Sequence, residues 1–487
     1  MQRLNNAKLS PLPGHIAKPR YDRARVTSGI VHLGIGNFHR AHQAVYTDDA
    51  LASGERDWGI IGASLRKPDI HEALIPQDGL YTLGVKSGTR TDWRVVGAIQ
   101  SVLYAPDDPQ ALINAIAAPS TRIVSLTITE KAYCLHAGNG SLDEDHPDIR
   151  HDRLHASRPV SALGYLYAGL KARRDAELPL PTLLSCDNLP SNGKKLRAAL
   201  IRFAKLADHD FTRVLDDQLH CPSTMVDRIV PQTTDEDRDA VRLALGFDDA
   251  WPVMTEPFTQ WVIEDEFSLD RPNWHRSGAQ FVSDIAPYER MKLSLLNASH
   301  TALAFLGSYA GYETVSDAMQ DKAIRKFIEC FMREDIAPVL KLTDSMNVEA
   351  YITSLIHRFD NPALHHRLEQ IASDSSQKIP QRLMGTIRTR LAIGLPLGRF
   401  ADAIAAFILY LEGHDQNGRA LLFRDPQAET LIKAIREAGK NSSERVKALF
   451  SKTEIFGDLS SHERAIQDVA SALDELQSNT SARPNRS

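Results

Sequence analysis

Four short, unbroken apolar runs recur through the N-terminal part of this chain: GIVHLGIG at 29–36, WGIIGASL at 58–65, TRIVSLTIT at 121–129 and PTLLSCDN at 181–188. Stretches of helical composition lie between them, among them NFHRAHQAVYTDDALASG, DPQALINAIAAP and SALGYLYAGLKARRDAEL. Continuous rather than alternating hydrophobicity suits parallel strands covered on both faces. Strand–helix alternation then implies an α/β fold, a Rossmann-like doubly wound sheet. LYTLGVK and WRVVGAIQSVL predict a hairpin-like insertion in that sheet.

After Tyr288 the pattern changes. MKLSLLNASHTALAFLGSYAG, VEAYITSLIHRF and FADAIAAFILYLEG carry helical spacing, and strand-like runs disappear. The predicted division is residues 1–287, a Rossmann-like dinucleotide-binding domain, and residues 288–487, an all-helical substrate and catalytic domain. Residues 1–28, with Pro11, Pro13 and Pro19, read as an irregular arm, and residues 476–487 as a frayed tail.

Composition removes several function classes. Lysine and arginine number 57 against 62 acids, with no long basic run, which argues against a dedicated nucleic-acid binder. Cys134, Cys186, Cys221 and Cys330 lie far apart, without CxxC or cysteine–histidine ligand spacing, so neither a disulfide scaffold nor a metal site is expected. No apolar run reaches the ~18 residues of a membrane span, and the N-terminus lacks a signal-peptide core. A cytoplasmic enzyme with a small-molecule substrate is expected, as a monomer or small homo-oligomer.

The first run ends in Gly34-Ile35-Gly36-Asn37-Phe38-His39 and opens a helix. Small residues there let the backbone approach a pyrophosphate, and the helix start presents N–H groups to it. His39 replaces the third glycine of the usual fingerprint, and a glycine-rich turn without a ligand is the competing reading. Asp69, after the second run, is the candidate for the adenosine ribose hydroxyls. It lies further from the glycines than usual, and the preceding Arg66 and Lys67 leave a 2′-phosphate, hence NADP, open.

Two other runs end in polar residues, Thr129-Glu130-Lys131 and Asp187-Asn188. Chemistry gathers beyond strand carboxyl ends in open α/β sheets, although ordinary turns would look the same. In MKLSLLNASH, Lys292, Asn297 and His300 fall within an arc of about 140° at ~100° per α-helical residue. They are either hydrogen-bonded core residues with a solvent-facing lysine, or a site. A desolvated lysine would take the proton of a carbinol hydroxyl or return it to a carbonyl oxygen, while amide side chains stabilise alkoxide charge. No metal is needed for this.

GIVHLGIGNFHRAHQAVYTDDAL, RIVSLTITEKAYC, LLSCDNLPSNG, TMVDRIVP, EPFTQWVIEDEF, PYERMKLSLLNASH and SSQKIPQRL together resemble the polyol-specific long-chain dehydrogenases, from about Gly29 to about residue 470. The resemblance implies NAD as cofactor and a zinc-independent hydride transfer. It places the catalytic lysine on Lys292, oxyanion-binding asparagines on Asn188 and Asn297, a substrate-contacting histidine on His300, and a proton-path glutamate on Glu130. It also implies cofactor contacts at Gly34, Gly36, Asn37, Phe38, Asp69 and Asp227, and a lysine at the substrate end, Lys378. Cys221 departs from the Phe or Ser usual before MVDRI.

Two positions bear on the substrate. Thr129-Glu130-Lys131-Ala132-Tyr133 stands where mannitol-oxidising members usually have TEGGY, and Gln370 where they tend to have arginine. A buried carboxylate needs a cationic partner, and Lys131, Arg367 and Lys378 are candidates, each with a plain surface role as its competitor. The expected substrate is therefore a ketouronate/aldonate pair, fructuronate and mannonate, ahead of mannitol/fructose or an arabinitol-type polyol. A dinucleotide-binding sensor without activity is the remote alternative.

Overall fold

The computed structural model describes residues 2–136, 140–343 and 346–481, with the side chains of 479–481 left aside. The chain divides into two compact units, Met1–Ala286 and Pro287–Ser487.

The first unit is built on a five-stranded parallel sheet. Its strands are β1 (Ser28–Leu33), β2 (Gly59–Ser64), β5 (Ile99–Tyr104), β6 (Ile123–Leu126) and β7 (Thr182–Ser185), in the order β5-β2-β1-β6-β7. This is the doubly wound arrangement, with the order reversing at β1. The apolar runs are continuous because the two residue sets of each strand enter different cores. Val31, Leu33, Val124, Leu126 and Leu183 pack with Leu112, Ile116, Leu163, Leu166, Leu196 and Phe203. Ile30, Ile60, Ile123 and Leu184 pack with Ala44, Tyr46, Leu51, Trp261 and Trp274.

Two three-stranded sheets complete the unit. In one, β3 (Tyr81–Ser87) pairs antiparallel with β4 (Arg90–Val96) and parallel with β9 (Val253–Thr255). In the other, β10 (Gln260–Glu264) lies between β8 (Thr224–Asp227) and β11 (Gln280–Val282). The hairpin is thus β3–β4, but the run WRVVGAIQSVL does not stay within it. The run breaks at Gly97, and its second half becomes β5 of the main sheet. Periodicity cannot reveal which partner a strand chooses. Among its described residues the arm at 1–28 holds two 3₁₀ turns and two isolated bridges, Arg3 with Asp248 and Ala17 with Arg94, and Leu4, Leu12 and Ile16 are buried with Leu80, Val95, Val241, Leu245 and Met254. It is part of the core.

The second unit is helical, with two isolated β-bridges, Thr314 with Arg367 and His414 with Ala420. Its centre is the helix Phe400–Leu411, in which only Asp402 is less than fully buried. That helix packs against Ala298–Tyr309, with Phe407 4.8 Å and Tyr410 5.8 Å from Phe305 between ring centroids. It also packs against the last helix, Glu463–Ser481. That helix carries the chain through the first half of the segment expected to fray from residue 476; residues 482–487 lie outside the described residues. Among the described residues, no helix is long and apolar enough to cross a membrane.

Between the helices Asn192–Ala207 and His209–Gln218, Asp208 accepts the N–H groups of Asp210 and Phe211 and pairs with Lys171 at 2.9 Å. Together these hold its carboxyl down at about 2. Asp208→Ala is expected to lose ~1 kcal/mol of stability in urea unfolding. Asp208→Asn, which keeps the cap and loses only the partly exposed ion pair, should lose about half as much.

Candidate functional site

In the first unit, the carboxyl ends of β1, β6 and β7 converge. Gly34 has φ +88, and a Cβ there would sit 2.2 Å from the Thr127 carbonyl oxygen, so the turn requires glycine. The Gly34 carbonyl accepts the Thr127 hydroxyl at 2.7 Å, and Thr127 Oγ1 in turn lies 2.8 Å from His32 Nε2. Gly36 is exposed and caps the short helix Asn37–Ala41 without a side chain. A Cβ on it would meet nothing closer than the Gly34 oxygen at 3.9 Å. The backbone is thus bare where a ligand would approach. Asn37 and Phe38 are half-buried: the Asn37 side-chain oxygen accepts from Arg40 at 2.6 Å, and Phe38 stacks on His42.

His39, in the place of the third glycine, is turned into the core. It stacks on His32 with centroids 3.4 Å apart, and neither of its ring nitrogens has a hydrogen-bond partner. Burial holds its pKa well below the ordinary value.

Asp187, at the end of β7, ties that strand to β6. It accepts from Ile128 N at 3.1 Å, Thr129 N at 2.8 Å and the Tyr133 hydroxyl at 2.7 Å. Burial pushes its carboxyl pKa up. Thr129 has φ +70, a conformation that a β-branched residue rarely adopts. Asn192 continues the clamp towards β8, donating to the carbonyls of Asp187 and Thr224 and accepting from Thr224 N. Glu130 and Asn188 are exposed beside these bonds, and Asp227 is buried at the end of β8. Asp187 was noted in the sequence only as a polar strand end, and Tyr133 and Asn192 were given no role, because a clamp has no spacing signature.

Asp69 is exposed at the start of the helix Asp69–Leu74, beyond β2. The Arg66 guanidinium pairs with Asp148 at 2.5 Å. Lys131 is exposed on the turn Glu130–Tyr133, so the desolvation argument for a buried cation does not apply to it. Cys134, His146 and Asp148 bring potential metal-ligand atoms within 4.8 Å of one another, a grouping the sequence spacing did not suggest. His146 Nδ1 already accepts the Asp148 N–H, and Asp148 holds Arg66.

In the second unit, the helix carrying Lys292, Asn297 and His300 is not a uniform α-helix. Residues Lys292–Asn297 form a π-turn, with the Ala298 N–H bonded to the carbonyl of Leu293, five residues back. The expected spread at 100° per residue is corrected accordingly. The wider turn brings Lys292 and Asn297 closer to one face of the helix than regular α-helical spacing would. Such widened turns concentrate at functional sites. Lys292, Asn297 and His300 are 9%, 7% and 7% exposed. Asn297 Nδ2 and His300 Nε2 are buried without hydrogen-bond partners.

His300 lies 4.6 Å from the Phe359 ring and is perpendicular to His366 at 5.1 Å. Burial, with His366, Arg358 and Arg382, keeps it neutral. Arg382 donates to Thr301 Oγ1 at 3.2 Å, and Thr386 to Ser294 Oγ at 3.2 Å, fastening the 375–392 helices to this one. Lys378 is half-buried on that support and donates to the carbonyls of Ile371 and Ser373. Arg367 is not gathered in: its side chain is 64% exposed and lies 3.9 Å from Glu369, at the start of the helix Leu368–Ala372. Arg358 and His366 were missed in the sequence, where neither belongs to a recurring spacing.

Residues 28–276 match the model of the mannitol dehydrogenase Rossmann domain, and residues 284–477 that of the mannitol dehydrogenase C-terminal domain. The chain belongs to the mannitol dehydrogenase family. It is 41% identical over 447 residues to the D-mannonate oxidoreductase of Escherichia coli, covering 91% of this chain and 92% of that protein. It is 39% identical to a mannitol 2-dehydrogenase of Neosartorya fischeri, over 97% and 96% of the two chains. The structure of Pseudomonas fluorescens mannitol 2-dehydrogenase with NAD and D-mannitol superposes with a TM-score of 0.87, at 39% identity and 98% coverage of both chains.

Four histidines, three of them buried and His366 half-buried, give the fold a defined acid sensitivity. His32, His39, His300 and His366 are all held below the ordinary histidine value, His32 at about 3 and His366 at about 4. The unfolded chain binds more protons at these positions, so their contribution is complete above pH 6.5 and is lost as pH falls towards the folded values. Urea unfolding should show stability dropping between pH 7 and 5, by about 2 kcal/mol for each histidine still neutral at pH 5.

Proposed function

We propose that this protein is an NAD-dependent oxidoreductase that interconverts a ketouronate and its aldonate, with fructuronate and mannonate as the pair. The observation that carries the reaction class is the π-turn, which carries a buried lysine, Lys292, at one end and Asn297, with its unpartnered Nδ2, at the other, turned towards a common face. The identity with D-mannonate oxidoreductase and the cationic side chains Lys378, Arg382 and Arg358 around His366 favour the acid substrate. The similar identity to mannitol 2-dehydrogenase favours mannitol/fructose as the second reading.

The glycine turn fits a dinucleotide. Gly34 and the bare backbone at Gly36 would hold the pyrophosphate with Asn37 and Phe38, Asp69 would hold the ribose hydroxyls, and Asp227 would lie towards the nicotinamide. The pairing of Arg66 with Asp148 supports NAD over NADP, because that guanidinium already has an anionic partner. When bound, NAD(H) supplies or accepts the hydride. The protein's own part is proton transfer and charge stabilisation. Lys292 Nζ gives a proton to the carbonyl oxygen on reduction and takes it back on oxidation. Asn297 donates a hydrogen bond to that oxygen as it gains negative charge, and the family resemblance assigns the same task to Asn188. His300, kept neutral, offers a hydrogen bond to a substrate hydroxyl without adding charge. Glu130 is assigned to relay the lysine's proton to water, consistent with its exposure.

Initial rates with fructuronate, fructose and pentuloses, using NADH and NADPH, test the assignment. Fructuronate with NADH should give the highest kcat/KM; a preference for fructose would establish the second reading instead. Lys292→Ala should lower kcat by about 10²–10⁴-fold, and Asn297→Ala by about 10²–10³-fold. Gly36→Val should raise the KM for NADH with little change in unfolding temperature, since a side chain there meets only open space.

A further inference from the structure

We propose that His366 binds the substrate's terminal carboxylate and sets the preference of this enzyme for acid over neutral substrates. The inference rests on the ketouronate reading above and adds a residue that neither the sequence pattern nor the family resemblance supplied.

Three orphaned polar atoms lie in this part of the second unit. Asn297 Nδ2, His300 Nε2 and His366 Nδ1 are each shielded from solvent and lack a hydrogen-bond partner. A buried donor or acceptor left without a partner is destabilising, so together they point to a polar ligand. Their order gives it a direction. Asn297 shares the π-turn with Lys292, the residue proposed to protonate the carbonyl oxygen; His300 is three residues further on; and the His366 ring stands perpendicular to His300 at 5.1 Å. A six-carbon keto acid with its carbonyl at Lys292 and Asn297 extends its carboxylate away from them, along this line.

The charges select an anion. Among the described residues, the charged side chains acting on His366 are Arg358 from the helix Val348–Phe359, and Lys378 and Arg382 from the helix Ser375–Arg382. All are positive, and His300 facing it is neutral. With burial they hold free His366 at about 4, so the empty site keeps it uncharged. An arriving carboxylate reverses that balance. It accepts a hydrogen bond from the ring, offsets the surrounding positive potential, and favours uptake of a proton by His366. A neutral hydroxymethyl end does neither. His366 holds its place because it follows the turn Pro362–Leu364, while Val315 N donates to its carbonyl at 2.9 Å.

The test compares His366→Gln, which keeps hydrogen-bonding capacity but never becomes cationic, with the unaltered enzyme on fructuronate and fructose. The ratio of kcat/KM for fructuronate to that for fructose should fall at least tenfold, mainly through the KM for fructuronate. NADH affinity and unfolding temperature serve as folding controls. A ratio unchanged within threefold in a folded variant overturns the proposal. A second measurement needs no variant. In the unaltered enzyme, the KM for fructuronate relative to fructose should fall severalfold from pH 7.5 to 5.5, because protonated His366 binds the carboxylate more tightly. A flat or rising ratio also overturns the proposal. The preference of the unaltered enzyme, read separately, decides the reading on which this one rests: if it favours fructose, that reading fails, while the change of ratio in His366→Gln still reports on His366.

Discussion

One buried carboxylate organises the working edge of the first unit. Asp187 is attached to β7, but two of its three hydrogen bonds go to backbone groups that follow β6. Parallel neighbours share no turn, so nothing local fixes where the chain goes as it leaves each strand. The carboxylate does it instead. It also stabilises the left-handed backbone of Thr129, strain that a β-branched residue would otherwise relieve. Glu130 follows directly in sequence from that residue and Asn188 from Asp187, so the directions of both depend on the same group. Burial works against the charge that makes these bonds strong, which is why its pKa is raised despite three donors.

The sequence made the architecture readable because buried parallel strands leave a strong signal. Ile30/Val31, Ile123/Val124 and Leu183/Leu184 are apolar pairs whose two members enter opposite cores, and that doubling is what an unbroken apolar run means. The glycine turn was readable for a similar reason, since Gly34 is dictated by a close backbone approach. What escaped detection depended on partners distant in sequence. β5 was hidden in a run that continues the hairpin, and Leu4, Leu12 and Ile16 gave no periodic hint that the arm enters the core. On the site, Lys292, Asn297 and His300 were noticed as polar residues in an apolar helix, and the family resemblance gave them roles. Their actual disposition was not readable, because composition does not announce a π-turn. Lys131 and Arg367 show the converse: charge type was legible, but composition could not choose between a buried cation and the competing surface role, and both side chains are exposed.

The two units use histidine in the same way. His32 and His39 behind the glycine turn, and His300 and His366 on the helical side, are all desolvated and neutral. A neutral imidazole fills an aromatic-sized space while keeping one donor and one acceptor. It therefore packs against rings such as Phe359 and still serves a polar ligand. Doubly wound sheets carry many chemistries, and the acid preference proposed here rests on side chains of the helical unit.

The Leu293–Ala298 hydrogen bond also fixes how many amino acids this stretch must contain. A bulged turn holds one residue more than a regular one. Deleting any single position between Leu293 and Asn297 would let the ladder revert to ordinary spacing and swing everything before it, the amine included, by ~100° about the helix axis. Substitutions on the outward side leave that rotation untouched, whereas a change of length does not. At its one less buried position, Leu293, the segment thus tolerates altered identity, but nowhere does it tolerate altered count.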